Sequence, residues 1–211
     1  MRLSRGLAYS VGLLAVTGAG WLFWRRQMTN LPCPSSLSFL LENPFVERVA
    51  GAETLLDRAG IVAGMRVLDA GCGPGRITLP AARRVGPTGE VVGVDIQEAM
   101  LQRVRQKLTA QGVTNVHLLR AGLGENKTEP ASFDRAFLVT VLGEIPDKAA
   151  ALREIHRALK PGGILSITEM LPDPDFQTPD AVRRLADETG FVEDRLLGGF
   201  PAFTMNLLKV G

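Results

Sequence analysis

The chain is poor in the residues that most often hold metal ions. Its 211 residues include two histidines, His117 and His156, and two cysteines, Cys33 and Cys72. There is no CxxC pair and no His/Cys cluster, so no zinc site or other metal site is expected, and two cysteines do not make a disulfide scaffold. Aromatic residues are also scarce, at 6%, and are not interleaved with basic clusters. With a net charge of only +2, this argues against a nucleic-acid partner. No internal repeat or low-complexity run appears; "ENKTEPAS" (Glu125 to Ser132) is merely polar and reads as a loop. What remains is an ordinary globular composition, and the length suits one α/β domain of about 150–200 residues with a short extension.

The extension is distinctive. From Gly6 to Trp24 there is no charge, and as a helix this run would span about 28 Å, close to the bilayer's hydrocarbon thickness of about 30 Å. Trp21 and Trp24 lie beside Arg25 and Arg26 at one end and Tyr9 near the other, as in an interfacial belt. Arg2 and Arg5 with a "VTGA" stretch also suit a signal peptide, and a buried core helix is the plainest reading. The run alone does not separate the three.

Beyond the Pro-punctuated linker "QMTNLPCPSS", the segment "SLSFLLENPF" has a helical apolar face stopped by Pro44, and "FVERVAGAETLLDRAGI" reads as a second helix ending near Gly60. Strands and helices then alternate. "MRVLDA", "EVVGVDI", "NVHLLRA", "FDRAFLVTVL" and "ILSITEM" read as five strands. Between them lie "RITLPAARRV", "QEAMLQRVRQKLTAQG" and "DKAAALREIHRALKPGG", the last with Asp147 as N-cap and Pro161-Gly162-Gly163 as its stop. "TPDAVRRLADETG" is another helix, and "FVEDRLL" and "AFTMNLLKV" are close enough to form a hairpin. Such alternation predicts a mostly parallel sheet covered on both faces, with ligands at the carboxyl ends of its strands. The domain plan is 1–26 as a hydrophobic extension, 27–60 as linker and covering helices, and 61–211 as the α/β domain.

"VLDAGCGPGR" places Gly71, Gly73 and Gly75 directly after the first strand and before a helix, where the backbone can turn tightly and approach a ligand. The spacing is GxGxG, not the GxGxxG of dinucleotide sites, and Asp69 stands two residues before the first glycine. A carboxylate there is badly placed against a pyrophosphate, which counts against an NAD-dependent oxidoreductase, and suits a ligand carrying an ammonium group. Asp95 closes the second strand about 20 residues further on, where an acid accepts hydrogen bonds from ribose hydroxyls. The ligand so described is a nucleoside with a cationic, unphosphorylated tail.

These motifs together resemble the class I S-adenosylmethionine-dependent methyltransferases. "VLDAGCGPG" is similar to their first motif and "VVGVDI" to their second-strand motif; "SFDRAFLVTVLGEIPD" and "ALREIHRALKPGGILSITE" resemble the segments that follow, in matching order over residues 45–211. The resemblance implies a Rossmann-like, doubly wound α/β fold whose seven-stranded sheet has the order 3-2-1-4-5-7-6, strand seven antiparallel. It implies S-adenosyl-L-methionine as cofactor. Asp69 and the Ala70–Gly75 backbone, including Cys72, would hold its methionine part. Asp95 would bind the ribose, with Ile96 packing on the adenine. Gly122 and Leu123 would lie along the adenine's other side, and Leu138 to Thr140 below the sulfonium. One departure stands out. Many relatives carry an Asp after the third strand to meet the adenine amino group, whereas this chain reads "AGLGEN". Glu125, Asn126 or a backbone carbonyl must take its place.

Methyl transfer from a sulfonium is an in-line displacement, so holding donor and acceptor aligned is the main task, and a base is needed only where the acceptor must lose a proton. Glu144 in "VLGEIPD" is the candidate base; the alternative is an exposed acid near the next helix. Glu169 is a weaker candidate, His156 is expected in solvent, and Cys72 belongs to the loop and is not a nucleophile. An S-adenosylmethionine-dependent domain gains nothing from export, since the cofactor is made and kept in the cytoplasm. This favours a retained N-terminal transmembrane helix, with Arg25, Arg26 and the catalytic domain on the cytoplasmic side. The expected partners are therefore a membrane and a lipophilic small-molecule acceptor: a quinone precursor, an aminophospholipid or a hydrophobic thiol. The runner-up is a non-catalytic, cofactor-binding subunit with the same fold.

Overall fold

The computed structural model describes residues 50–171 and 173–211. The hydrophobic run, "SLSFLLENPF", Cys33 and the start of the second helix lie outside the described residues. Among the described residues no helix is long and apolar enough to cross a membrane.

A short helix, α1 (Ala52–Arg58), leads into β1 (Arg66–Ala70), α2 (Thr78–Val85), β2 (Glu90–Asp95), α3 (Glu98–Gln111), β3 (Val116–Arg120) and β4 (Phe133–Val139). A 3-10 turn at Leu142–Glu144 is followed by α4 (Lys148–Ala158), β5 (Leu159–Met170), α5 (Pro179–Thr189), β6 (Phe191–Gly198) and β7 (Ala202–Lys209). The seven strands form one sheet in the order 3-2-1-4-5-7-6. Strands one to five are parallel; β7 runs antiparallel to both β5 and β6, the last two strands making the expected hairpin.

Local chemistry sets these elements. In α3, Met100, Leu101, Val104 and Leu108 form the buried stripe, and Gly112 ends the helix in the left-handed conformation at φ 64°. Asp147 caps α4 by accepting from the Ala150 N–H at 2.9 Å. Thr178 caps α5, with Pro179 at its first turn. Helices on both faces bury one apolar layer around Leu138, Leu152, Ile155 and Ile167, and another around Leu55, Leu56, Val67 and Phe137.

Two readings of the α4 region need correction. The helix stops at Ala158, and Pro161-Gly162-Gly163 falls inside β5, because the fully buried Leu159 already pairs with Phe133. His156 is half-buried instead of solvated: its ring stands edge-on to Phe191 at 4.9 Å, and burial pulls its pKa down.

The strand order reverses between β1 and β4, which leaves a crevice at their carboxyl ends. The loop after β1, the end of β2, the loop after β3 and the turn after β4 all converge on it.

Candidate active site

The crevice is a cavity of about 230 Å³, mostly apolar, with two buried carboxylates on its wall, Asp69 and Asp95. The loop between β1 and α2 forms its floor. Gly71 has φ 76°, and a Cβ there would meet Val141 at 2.6 Å, so this glycine is fixed both by conformation and by close approach. Gly73 has φ 50°, and a Cβ there would meet nothing within 4 Å, so its backbone faces open space. Gly93 in β2 lets the loop close down, since a Cβ there would press on the Cys72 sulfur at 3.2 Å.

Asp95 ties this loop to β2. One carboxylate oxygen accepts from the Gly73 N–H at 2.8 Å and the other from the Gln97 N–H at 2.8 Å. Burial raises its pKa, and the two backbone donors oppose that rise. A carboxylate has about four acceptor sites, so capacity remains for ligand hydroxyls. Asp69 is deeper. Burial lifts its carboxyl to about 6, against a 2.6 Å hydrogen bond from the Thr78 hydroxyl and the charge of Arg76, which both lower it. Burial likewise pushes the Cys72 thiol well up, leaving it inert.

On the far wall, Thr140 directly follows β4 at φ 54°, a conformation that β-branched residues rarely adopt. It is held there by the Thr140 N–H donating to Thr168 O at 2.8 Å, while the hydroxyl donates to Val139 O at 2.7 Å. Strain of this kind collects at binding sites. Glu144 is half-buried on the 3-10 turn and also faces the cavity.

Of the residues singled out by sequence, the fold brings Asp69, Gly71, Cys72, Gly73, Asp95, Ile96, Gly122, Leu123, Thr140 and Glu144 into the lining of one cavity. Glu125, Asn126 and Glu169 are not among the lining residues, nor are three others. Ala70 is fully buried in the sheet, and Gly75 faces Leu79 and Val104, where a Cβ would clash at 2.8 Å. Leu138 is likewise core, with Val139 taking its place on the wall. Sequence reasoning missed Arg76, Gln97, Met100, Val141 and Ile145. Arg76 and Gln97 directly follow the glycine loop and Asp95, so continuing each motif by one or two residues would have found them. Met100 and Val141 had no signal beyond being apolar.

In the loop after β3, a Cβ on Gly122 would meet Glu125 Oε1 at 2.7 Å, so the Glu125 carboxylate folds back over the position from which a side chain at 122 would start. Glu154 on α4 fixes this loop from beneath, accepting from the N–H groups of Gly124 at 2.6 Å and Thr128 at 2.9 Å.

The comparisons with known proteins agree with this arrangement. A family model described as "Methyltransferase domain" matches residues 61–189, and the chain belongs to that family. The family and the fold imply S-adenosyl-L-methionine as the cofactor. A demethylmenaquinone methyltransferase of Geobacillus kaustophilus is 37% identical over 112 residues, which cover 53% of this chain and 48% of that protein. The chain thus spans about half the length of the curated relatives it matches. The structure of a SAM-dependent methyltransferase from Aquifex aeolicus superposes with a TM-score of 0.78 at 24% identity, covering 84% of this chain and 100% of that one. The cyclase SpnF shares the fold at a TM-score of 0.68 and 18% identity, covering 79% and 82%. The fold by itself therefore does not fix the reaction.

Proposed function

We propose that the protein is an S-adenosylmethionine-dependent methyltransferase that methylates a lipophilic, quinone-type acceptor at a membrane. The observation that carries the reading is the pair of buried carboxylates, Asp69 and Asp95, flanking a glycine loop whose Gly73 backbone opens onto the cavity. When bound, the cofactor supplies an activated methyl on a sulfonium. In this reading Asp95 accepts from the ribose hydroxyls, Asp69 faces the ammonium end, and Ile96, Met100 and Leu123 supply apolar surface for the adenine. Gly71, Cys72, Gly122 and Thr140 complete the enclosure. Ala70 and Gly75 support the loop from behind. Glu144 stands on the acceptor side and takes a proton if the acceptor must lose one.

A quinone-type acceptor is supported by the name of the Geobacillus relative and by the apolar character of the cavity. Membrane attachment rests on the uncharged run from Gly6 to Trp24 with its flanking tryptophans and arginines, with the catalytic domain on the cytoplasmic side.

The test is mass spectrometry of membrane lipids incubated with the full chain and methyl-labelled S-adenosylmethionine, alongside a variant lacking residues 1–26. Labelled quinone is the expected product, formed more slowly by the truncated variant on vesicle-embedded acceptor. Cofactor binding with no labelled lipid would favour a non-catalytic subunit. Equal activity of the truncated variant on vesicles would remove the anchor from the account.

A further inference from the structure

One buried acid is used by neither the fold's capping pattern nor the cofactor pocket. Glu169, near the end of β5, is 1% exposed. One of its oxygens accepts from the Gln177 N–H at 3.1 Å, and the other has no hydrogen-bond partner among the described residues. An isolated buried polar atom is costly, so its retention calls for a reason.

The neighbours supply one. Gln177 closes a loop over Glu169: its side-chain amide donates to Asp175 O at 2.7 Å, and the Asp175 N–H donates to the Asp173 carboxylate at 2.8 Å. The loop's Phe176 meets Phe203 edge-on at 5.9 Å. Its far side rests on the 3-10 turn so closely that a Cβ on Gly143 would fall 2.0 Å from Asp175 O. The residue after Gly143 is Glu144, on the cavity wall.

We propose that Glu169 is a positioning residue for the acceptor end of the cavity: through the Gln177 N–H it holds the 173–177 loop against the Leu142–Glu144 turn, and so keeps Glu144 in place. The assignment of that end to an acceptor rests on the functional reading above; the mechanical link does not. Three charged groups act on Glu169: Asp173 from the loop and Glu144 from the turn oppose its ionisation, and Lys148 at the start of α4 favours it. Burial is the largest influence; joined by the two acids, it outweighs the Gln177 N–H and Lys148, which favour the anion, and lifts the carboxyl to about 8. Below that pH it sits neutral under the loop. Above it, a buried anion faces two acids and draws in water, and the loop loosens.

Amide hydrogen exchange on the full chain, followed on both sides of pH 8 and corrected for intrinsic base catalysis, tests the link directly. Gln177 protection should fall about tenfold in E169A, with the β7 amides unchanged. In the wild type it should decline as pH rises from about 4.5 to about 8 and level off above, and E169Q should lack that decline. The parallel readout is kinetic. In E169A the kcat/KM for demethylmenaquinone should fall about tenfold with cofactor affinity unaltered. Unchanged Gln177 protection in E169A, an equal loss across β7, or the same pH response in E169Q would overturn the proposal. So would a loss of cofactor affinity as large as the loss in kcat/KM. If E169A fails to fold, the wild-type and E169Q pH series decide. If exchange behaves as stated but no quinone is methylated, the functional reading fails and the link stands.

Discussion

Asp95, the last residue of β2, accepts a hydrogen bond from the Gly73 N–H at 2.8 Å, across the mouth of the cavity. One acid therefore holds the glycine loop closed and, in the functional reading, meets the ribose. Removing it in D95A should weaken binding of S-adenosylhomocysteine by tenfold to a hundredfold, about 1.5–3 kcal/mol. D95N, which still accepts from one N–H, should lose less. Calorimetric titration of both variants separates them; equal affinity in D95A and wild type would deny the ribose contact.

Asp69 predicts a pH dependence of opposite sign for stability and for binding. Its folded value of about 6 lies above the 3.8 of the free side chain, so the folded state holds the proton more tightly. Its contribution to stability therefore declines as pH rises from about 4 to about 6. Affinity for a ligand ammonium group should instead rise over that window, as the carboxylate forms. T78V removes the hydrogen bond that favours the ionised form, and should shift the binding midpoint to higher pH. Paired thermal melts and titrations at several pH values give both curves.

The two glycines nearest the cavity should fail differently. In G71A the new methyl strikes Val141 at 2.6 Å in a backbone already at φ 76°, so the fold should lose about 2–4 kcal/mol. In G73A the backbone strain remains, but the methyl meets no protein atom within 4 Å. That variant should lose only about 1 kcal/mol of stability and a larger share of cofactor affinity. Chemical denaturation with parallel binding data distinguishes the two patterns.

Glu125 should select the adenine amino group. Its carboxylate is exposed and folds back beside Gly122, which lines the cavity together with Leu123 and Ile96. E125A should bind S-adenosylhomocysteine about tenfold less tightly and leave the 6-oxo analogue, S-inosylhomocysteine, unaffected. E125Q should narrow the preference between the two, since its amide also donates. Competition binding reads all three proteins; an unchanged preference in E125A would return the role to the backbone.

Much of this was legible in the chain because the signals were local. The alternation of apolar runs with capped helices gave the parallel sheet, and the family resemblance gave its strand order. The glycine loop and Asp95 are contiguous motifs, and they do meet at one crevice. The departures came from tertiary contacts. Leu159 joins β5 because it pairs with Phe133, so the Pro-Gly-Gly stretch lies in a strand where turn chemistry alone suggested a stop. His156 is drawn onto Phe191 by a hairpin more than 30 residues away. Ala70 and Gly75 belong to a motif most of whose members line the cavity while these two turn into the core, which spacing does not reveal. The Glu169–Gln177 bond links a strand to a loop of no recognisable pattern, and only the fold puts them together.

The central claim is methyl transfer from S-adenosylmethionine to a quinone-type acceptor, with Asp95 holding the donor. The most direct measurement incubates the purified full chain with methyl-labelled S-adenosylmethionine and vesicles containing demethylmenaquinone, and follows label in the quinone beside D95A. The account predicts labelled quinone accumulating with wild type and falling by at least about tenfold with D95A at limiting donor. Tight donor binding without labelled quinone, or label that D95A forms as fast as wild type, would contradict it.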